Sequence, residues 1–482
     1  MLQKKIEETR QQVKFISIEE LVPQGHILRE IERSMDFTFI YELVKGLYSE
    51  DKGRPSIDPV SLIKIVMVQH LFGIRSMRQT IREIEVNVAY RWFIGYDLLE
   101  PIPHFTTFGK NYIRRFKDTD IFEQIFTRIL EEAVMSGFVK AEEGIFIDAT
   151  HIKASANKKK LIKKEVEIQA KHYHKQLMEE VNSDREEHGK KPFDDNSPPP
   201  DEPKQTKIVV ESKTDPESGM FYKTEKENCF AYTAHVACDR NNFILESDVS
   251  AGNVHDSVMF DKVFNRTVER FPDVSGVAVD AGYKTPWIMK QITDAGMLPA
   301  SVYKRPMTKE GFFKKYEYVY DEYFDCMICP DNKILKYSTT NREGYREYKS
   351  DPRNCRNCPY RMQCTHSKNM VKVVTRHVWD DYMEYAEDVR HSPEGKALYS
   401  LRSQTIERVF ADAKEKHGMR YTNIRGLTKM KDQVKLVFSC MNLKKLAAWK
   451  RKNGLLPPSY PFSFAFFQFF SLFKKEIYSF SP

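Results

Sequence analysis

A chain of 482 residues, 41% of them hydrophobic, is longer than one hydrophobic core usually serves, so two or more folded units are expected. Its 76 Lys and Arg exceed its 68 Asp and Glu by eight, which permits a polyanionic partner but equally suits a basic enzyme. Membrane insertion is excluded as an expectation: the apolar run Phe462 to Phe473 contains Ser463, Gln468 and Ser471 and is about half the roughly 20 residues a spanning helix needs.

The start, Met1-Leu-Gln-Lys-Lys-Ile-Glu-Glu, offers no apolar stretch for a secretory signal, so a reducing, cytoplasmic setting is expected. Asp58-Pro59 announces a helix, with Asp able to cap it and Pro at the first helical position, and Gly73 is placed to end it. Ser76-Met-Arg-Gln79 has the form of a capping box before Ile81, Ile84 and Val88 at helical spacing, so a second helix follows closely. A third helix is expected from Thr106 or Thr107. It carries Lys110, Arg114, Arg115 and Lys117, with Phe108, Tyr112, Ile113 and Phe116 available for packing. Its basic face suits DNA phosphates, and it equally suits the solvated side of a helical bundle.

From Gly144 the pattern turns to short β-rich runs: Ile145 to Asp148, Cys229 to Cys238, Phe243 to Val249, Val277 to Asp280 and Leu298 to Tyr303. Helical stretches from Ser257 to Phe271 and from Pro286 to Ala295 lie between the later ones, which predicts an α/β sheet with parallel strands. Lys158 to Lys207, dense in Lys and Glu and containing Ser197-Pro-Pro-Pro200, is expected to be an insertion, partly helical and ending in an extended linker.

Asp148 and Asp280 each close an apolar run, which would set two carboxylates at the carboxyl ends of buried strands. Glu407 lies beside the apolar stripe of a helix through Leu398, Leu401, Thr405, Ile406, Val409, Phe410 and Ala413, which Gly418 is placed to end. Three hard oxygen donors suit Mg²⁺. Taken singly, each acid also fits a turn cap or a surface ion pair with Arg408 or Lys414. Five cysteines gather downstream: Cys326-Met-Ile-Cys329, Cys355-Arg-Asn-Cys358 and Cys364, with His366 close by. Paired C-x2-C elements fit a structural Zn²⁺ on Cys326, Cys329, Cys355 and Cys358, with Cys364 or His366 as replacements, or reduced thiols packed under a loop. Cys229, Cys238 and Cys440 read as buried small hydrophobes.

Three passages together resemble bacterial insertion-sequence transposases of the DDE type: Ile147-Asp-Ala-Thr-His-Ile-Lys153, Ala278-Val-Asp-Ala-Gly-Tyr-Lys284 and Thr405-Ile-Glu-Arg-Val-Phe-Ala-Asp-Ala-Lys414. Arg425-Gly-Leu427 and Asn442-Leu-Lys-Lys445 look like the usual end of that catalytic domain, and Arg54-Pro-Ser-Ile-Asp-Pro59 to Phe116 resembles the amino-terminal domain common in such proteins. Ala251-Gly-Asn-Val-His-Asp-Ser257 also matches a family pattern, with a structural, helix-capping role expected for His255 and Asp256. In related transposases a Tyr and an Arg precede the Glu and a Lys follows it. Tyr399, Arg402 and Lys414 are the candidates here, the first spacing being one residue long.

The resemblance implies an α/β fold: an RNase H-like catalytic core at 141–450, a helical N-terminal DNA-binding domain at 1–140, a charged insertion at 156–225, a cysteine-rich insertion at 306–394 and an aromatic tail at 451–482. It implies that Asp148, Asp280 and Glu407 are the catalytic ligands of two Mg²⁺ ions, with Mn²⁺ as a substitute. Lys414, Arg408, Lys110, Arg114 and Arg115 are expected on DNA. The implied partners are double-stranded DNA, as transposon ends and target, and further copies of the chain in a dimer or larger synaptic complex. A catalytically inactive DNA-binding regulator and a nuclease that cuts without joining are the competing expectations.

Overall fold

In the computed structural model, residues 13–49, 56–167, 173–194, 206–222, 228–305 and 308–457 are described. The Ser197–Pro200 linker, the residues before Val13 and most of the aromatic tail lie outside them. The chain forms two compact units. The first comprises the described residues of Met1–Val139, Ala411–Asn423 and Thr428–Pro482, and the second Lys140–Phe410 with Ile424–Leu427.

The first unit is helical. Asp58 accepts the amide of Ser61 at 2.7 Å, Pro59 opens the helix Pro59–Leu71, and Gly73 takes φ +63° just beyond its end. Ser76 caps Met77–Val86 through the Gln79 amide, but the Gln79 side chain bonds Glu83 instead of turning back, so only half a capping box forms. Val88 does not extend that helix. Asn87 interrupts it and caps a new one, Val88–Ile94, through the Tyr90 amide. Thr106–Asn111 runs into a widened π turn, Tyr112–Phe116, where Tyr112 and Phe116 are buried while Ile113, expected to pack, is 64% exposed. The long helix Leu427–Lys452 contributes Leu436, Cys440, Leu443 and Ala447 to the same core as Leu62, Phe93, Phe116 and Ile125. The sequence expectation had placed that helix in the catalytic domain.

The second unit is built on an eight-stranded mixed sheet: β1 Ile145–Lys153, β2 Leu161–Glu167, β3 Thr206–Ser212, β4 Gly219–Tyr222, β5 Asn228–Asp239, β6 Ile244–Ala251, β7 Gly276–Val279 and β8 Leu298–Ser301. β1, β7 and β8 run parallel, while β5 flanks β1 antiparallel and takes β4 along its first residues and β6 along the rest. The charged insertion thus adds β2, β3 and β4 to one side of the sheet, where only a helix and a linker were expected. Apolar runs such as Ile145–Ile147 and Val277–Val279 are fully buried, as strands covered on both faces require.

A second, five-stranded antiparallel sheet follows: β9 Val319–Asp321, β10 Cys326–Ile328, β11 Ile334–Thr340, β12 Tyr345–Ser350 and β13 Val373–His377. It has its own small core of Tyr318, Met327, Leu335, Tyr348 and Val374. The helix His174–Glu187 of the charged insertion docks on it through buried Asp184, which accepts from Arg346 at 2.5 Å and also binds Thr340, and through His188, 2.7 Å from Asp325. Buried polar groups satisfied in this way specify one docking geometry.

Candidate active site

Parallel pairing of β1 with β7 sets Ile145 opposite Val277 and Ile147 opposite Val279, so the next residue on each strand is a carboxylate: Asp148 and Asp280. Asp280 leaves its strand in a turn, Oδ1 accepting from the amides of Gly282 at 2.9 Å and Tyr283 at 3.3 Å. Its Oδ2 makes no hydrogen bond among the described residues.

The third acid arrives from the other end of the unit. Helix Pro393–Ser400 lies close on the sheet because Gly144 and Gly276 have no side chains. A Cβ on either would meet Leu398 at 2.7 Å or 2.8 Å. The chain then tightens into a 3₁₀ turn, Leu401–Gln404, and Thr405 leaves the helical region at φ −112°, ψ −100° before the helix Ile406–Lys416 begins.

Arg402, 5% exposed, reaches between the two strand ends. It donates to the carbonyls of Ile147 and Ala278 at 3.3 Å each and pairs with Asp148 Oδ2 at 2.5 Å. Its guanidinium lies 5.8 Å from the Tyr399 ring centre. Burial pushes the Asp148 carboxyl up to about 6, Arg402 opposing the rise and the Asp280 charge adding to it. Tyr399 is also raised, mainly by burial, and lies within electrostatic reach of Asp280, Glu407 and Asp148 together. Glu407 is exposed and makes no hydrogen bond or ion pair among the described residues, so no surface pair with Arg408 forms there.

Among the described residues, no three His, Cys, Asp or Glu side chains are drawn together tightly enough to hold a metal ion. The oxygens nonetheless fit a hard cation in kind: Asp148 and Asp280 follow paired strand ends, with the Asp280 charge adding to the rise at Asp148, and Glu407 has no hydrogen bond or ion pair among the described residues. Tyr283, three residues beyond Asp280, was not singled out from the sequence. It is fully buried, its hydroxyl has no hydrogen-bond partner among the described residues, and it stands within electrostatic reach of Asp148 and Asp280. The GYK motif was its available signal.

The remaining candidates are placed as follows. Arg408 is exposed beside Glu407, and Lys414 is half-buried seven residues further along the same helix. Lys110 and Arg114 are exposed, while Arg115 is half-buried, bonded to Asn111, with its guanidinium 4.3 Å from the Tyr48 ring centre. Arg425-Gly-Leu427 fastens to the sheet unit: Arg425 donates to the Ser155 carbonyl at 3.0 Å, the Gly426 amide to buried Asp215 at 3.2 Å, and the Leu427 amide to Glu217 at 2.7 Å.

The cysteines of the expected zinc set lie in and around the five-stranded sheet. Met327 points into the small core, so Cys326, its neighbour on β10, faces the other side of the strand, beside Asp321 and Asp325. Cys329 packs on the Met327 side together with Cys364. Cys358 is within electrostatic reach of Cys329 and Cys355, and Cys364 of Cys355 and Cys329, whereas Cys326 takes the face of β10 opposite Met327.

No helix among the described residues is long and apolar enough to cross a membrane. A family model described as Transposase DDE domain matches residues 328–447, a span that includes Tyr399, Arg402, Glu407 and Lys414 but begins after Asp148 and Asp280. A second, described as Transposase domain (DUF772), matches residues 16–114, within the helical unit. The searches of curated proteins and of solved structures give no significant match. Two transposase domain models in order along one chain, the second of them spanning the Glu407 helix, support a DDE-type insertion-sequence transposase.

Proposed function

We propose that this transposase cuts and joins DNA with divalent cations, Mg²⁺ or in its place Mn²⁺, held by Asp148, Asp280 and Glu407 on an RNase H-like core. The observation that carries this reading is Tyr399, whose surroundings include all three acids although they come from distant parts of the chain. When bound, two such cations activate the attacking oxygen and neutralise charge on the leaving oxygen. Arg402 fixes the β1 and β7 ends and holds one Asp148 oxygen, and the turn at Asp280 orients the second carboxylate. Hydrolysis at a transposon end frees a 3′ hydroxyl, which then attacks a target phosphodiester. Each step exchanges one P–O bond for another without a covalent bond to the protein.

Lys414 and Arg408 beside the third acid, and Lys110, Arg114 and Arg115 on the helical unit, are proposed to contact phosphates of double-stranded DNA. Joining two ends to a target calls for a dimer or larger synaptic complex. We also propose a structural Zn²⁺ on the revised set Cys329, Cys355, Cys358 and Cys364, supported by the shared packing of Cys329 and Cys364 and the nearness of the other two.

The deciding experiment incubates labelled copies of the element's own flanking repeats and a target plasmid with the full chain and Mg²⁺. Cleavage followed by joined product is expected, and Asp280→Ala should bind ends but cut nothing. Cleavage without joining would reduce the protein to a nuclease, and full cleavage by Asp280→Ala would refute the assignment.

A further inference from the structure

We propose that the basic end of the five-stranded sheet, around Lys336 and Lys349, is a further surface for double-stranded DNA and holds its phosphates. The inference deepens the reading of DNA as this chain's partner and rests on it. Lys333 to Arg376 contains 11 Lys and Arg against 3 Asp and Glu, a surplus of eight that equals the surplus of the whole chain. The rest of the sequence therefore balances. Positive charge concentrated in one short module is the electrostatic footprint of a surface for a polyanion.

Folding gathers the exposed part of that charge at one end of the sheet, where β11 starts, β12 ends and β13 starts. Leu335 pairs there with Ser350, Lys336 with Lys349, and Lys349 in turn with Val373. Lys333 stands in the turn before β11, its carbonyl accepting from the Cys329 amide at 3.0 Å. Ser350 ties in the chain beyond, its hydroxyl accepting from the Cys355 thiol at 3.2 Å and from the Lys372 amide at 2.8 Å. The helix Pro352–Arg356, with Arg353 and Arg356, and the loop carrying Lys368 are thereby drawn to the same end.

Part of the charge is used within the protein. Arg346 pairs with Asp184 and Arg376 with Glu384, while Arg353 and Lys349 have neighbouring carboxylates, Asp351 at 2.7 Å and Glu347 at 3.2 Å. Lys333, Lys336, Arg356 and Lys368 are exposed, and their side chains make no hydrogen bond or ion pair among the described residues. Leu335 and Tyr348 point into the small core, so Lys336 and Lys349 take the opposite, outward face. Like charges directly opposite on paired strands repel. The carboxylate within electrostatic reach of Lys336, that of Asp351, is already paired with Arg353. A phosphate set between the two ammonium groups replaces the repulsion with two attractions. The cations come from β11, β12, a short helix and a loop, over strands about 4.8 Å apart, which suits a line of backbone phosphates better than one small anion.

The test measures binding of the full chain to a labelled duplex of the element's own end and to an unrelated duplex of equal length, from about 50 to about 200 mM KCl. Two double variants, Lys336→Gln with Lys349→Gln and Arg356→Gln with Lys368→Gln, each remove two phosphate contacts. Each should weaken both duplexes alike, about tenfold or more near about 0.15 M salt, and flatten the slope of log Kd against log salt by about 2. Because these side chains are exposed, the melting temperature should stay at its wild-type value. Wild-type affinity and slope in both double variants would overturn the proposal, as would weaker binding that tracks a lower melting temperature. Loss on the end duplex alone, with the slope unchanged, would mark base reading and overturn it too. Asp280→Ala, which removes no cation from this surface, separates the two readings: if it cuts as the wild type does, the metal assignment fails while the salt slopes still decide this one. If the wild-type chain binds neither duplex, both fall.

Discussion

Arg402→Ala tests the part of the site that the tertiary structure assembles most tightly. The guanidinium makes one ion-paired bond, to Asp148 at 2.5 Å, and two longer ones, to the Ile147 and Ala278 carbonyls at 3.3 Å. A hydrogen bond to a charged group contributes about 1.5–3 kcal/mol, and one stretched to a neutral carbonyl less, about 0.5 kcal/mol. Water entering beside Asp148, whose side chain is 17% exposed, would recover part of the loss. The expected destabilisation is therefore about 3 kcal/mol, near the lower end of what breaking a buried pair costs. Arg402→Lys keeps the charge but loses the fork that spans two strands, and should cost about half as much. Urea unfolding followed by the fluorescence of Trp287, which lies in the sheet unit, would measure both. Cleavage should fall about 100-fold or more in both variants, because Asp148 is no longer held in its working position. Stability of both within about 0.5 kcal/mol of wild type, with cleavage intact, would show that the guanidinium does not organise the strand ends.

Glu407→Gln should abolish cleavage while changing stability by less than about 0.5 kcal/mol, since the carboxylate is exposed and unbonded; a matching loss of stability would mark the residue as structural. Leu398→Ala should cost about 2–3 kcal/mol in the same urea assay, because Leu398 fills the space over Gly144 and Gly276, and a negligible cost would mean the helix is seated by other contacts. His70 and His417 are buried in the helical unit, and burial lowers each to about 4, the Nδ1 of His417 lying 2.8 Å from the His70 carbonyl. Because these folded-state values lie below the ordinary 6.5, the unfolded chain binds more protons, and stability should be full above pH 6.5 and fall as pH drops toward 4. The urea midpoint of that unit should decline across this window and His417→Asn should flatten the decline; identical profiles would remove the histidines as its cause. Cys364→Ser should lower the zinc content of purified protein while Cys326→Ser leaves it unchanged, and zinc-free wild-type protein that stays folded in chelator would discard the metal.

Much of the fold was legible because it is local. Buried strands announce themselves as short apolar runs, so Ile145 to Asp148 and Val277 to Asp280 could be read as strands ending in carboxylates, and caps such as Asp58 and Ser76 follow from side chains within three residues of the amides they bind. What could not be read was anything set by pairing between distant segments. The β1–β7 register brings Asp148 beside Asp280, and the break at Thr405 separates the turn that bears Arg402 from the helix that bears Glu407. Spacing alone favoured Cys326 over Cys364, because a one-dimensional pattern does not tell which face of β10 a side chain takes until Met327 is seated in its core. The charged insertion similarly hid three sheet strands, whose partners lie far along the chain or across the insertion itself. Local sequence therefore singled out the candidate residues. The tertiary fold decided which of them meet, since strand register and helix docking depend on contacts that no short window of sequence contains.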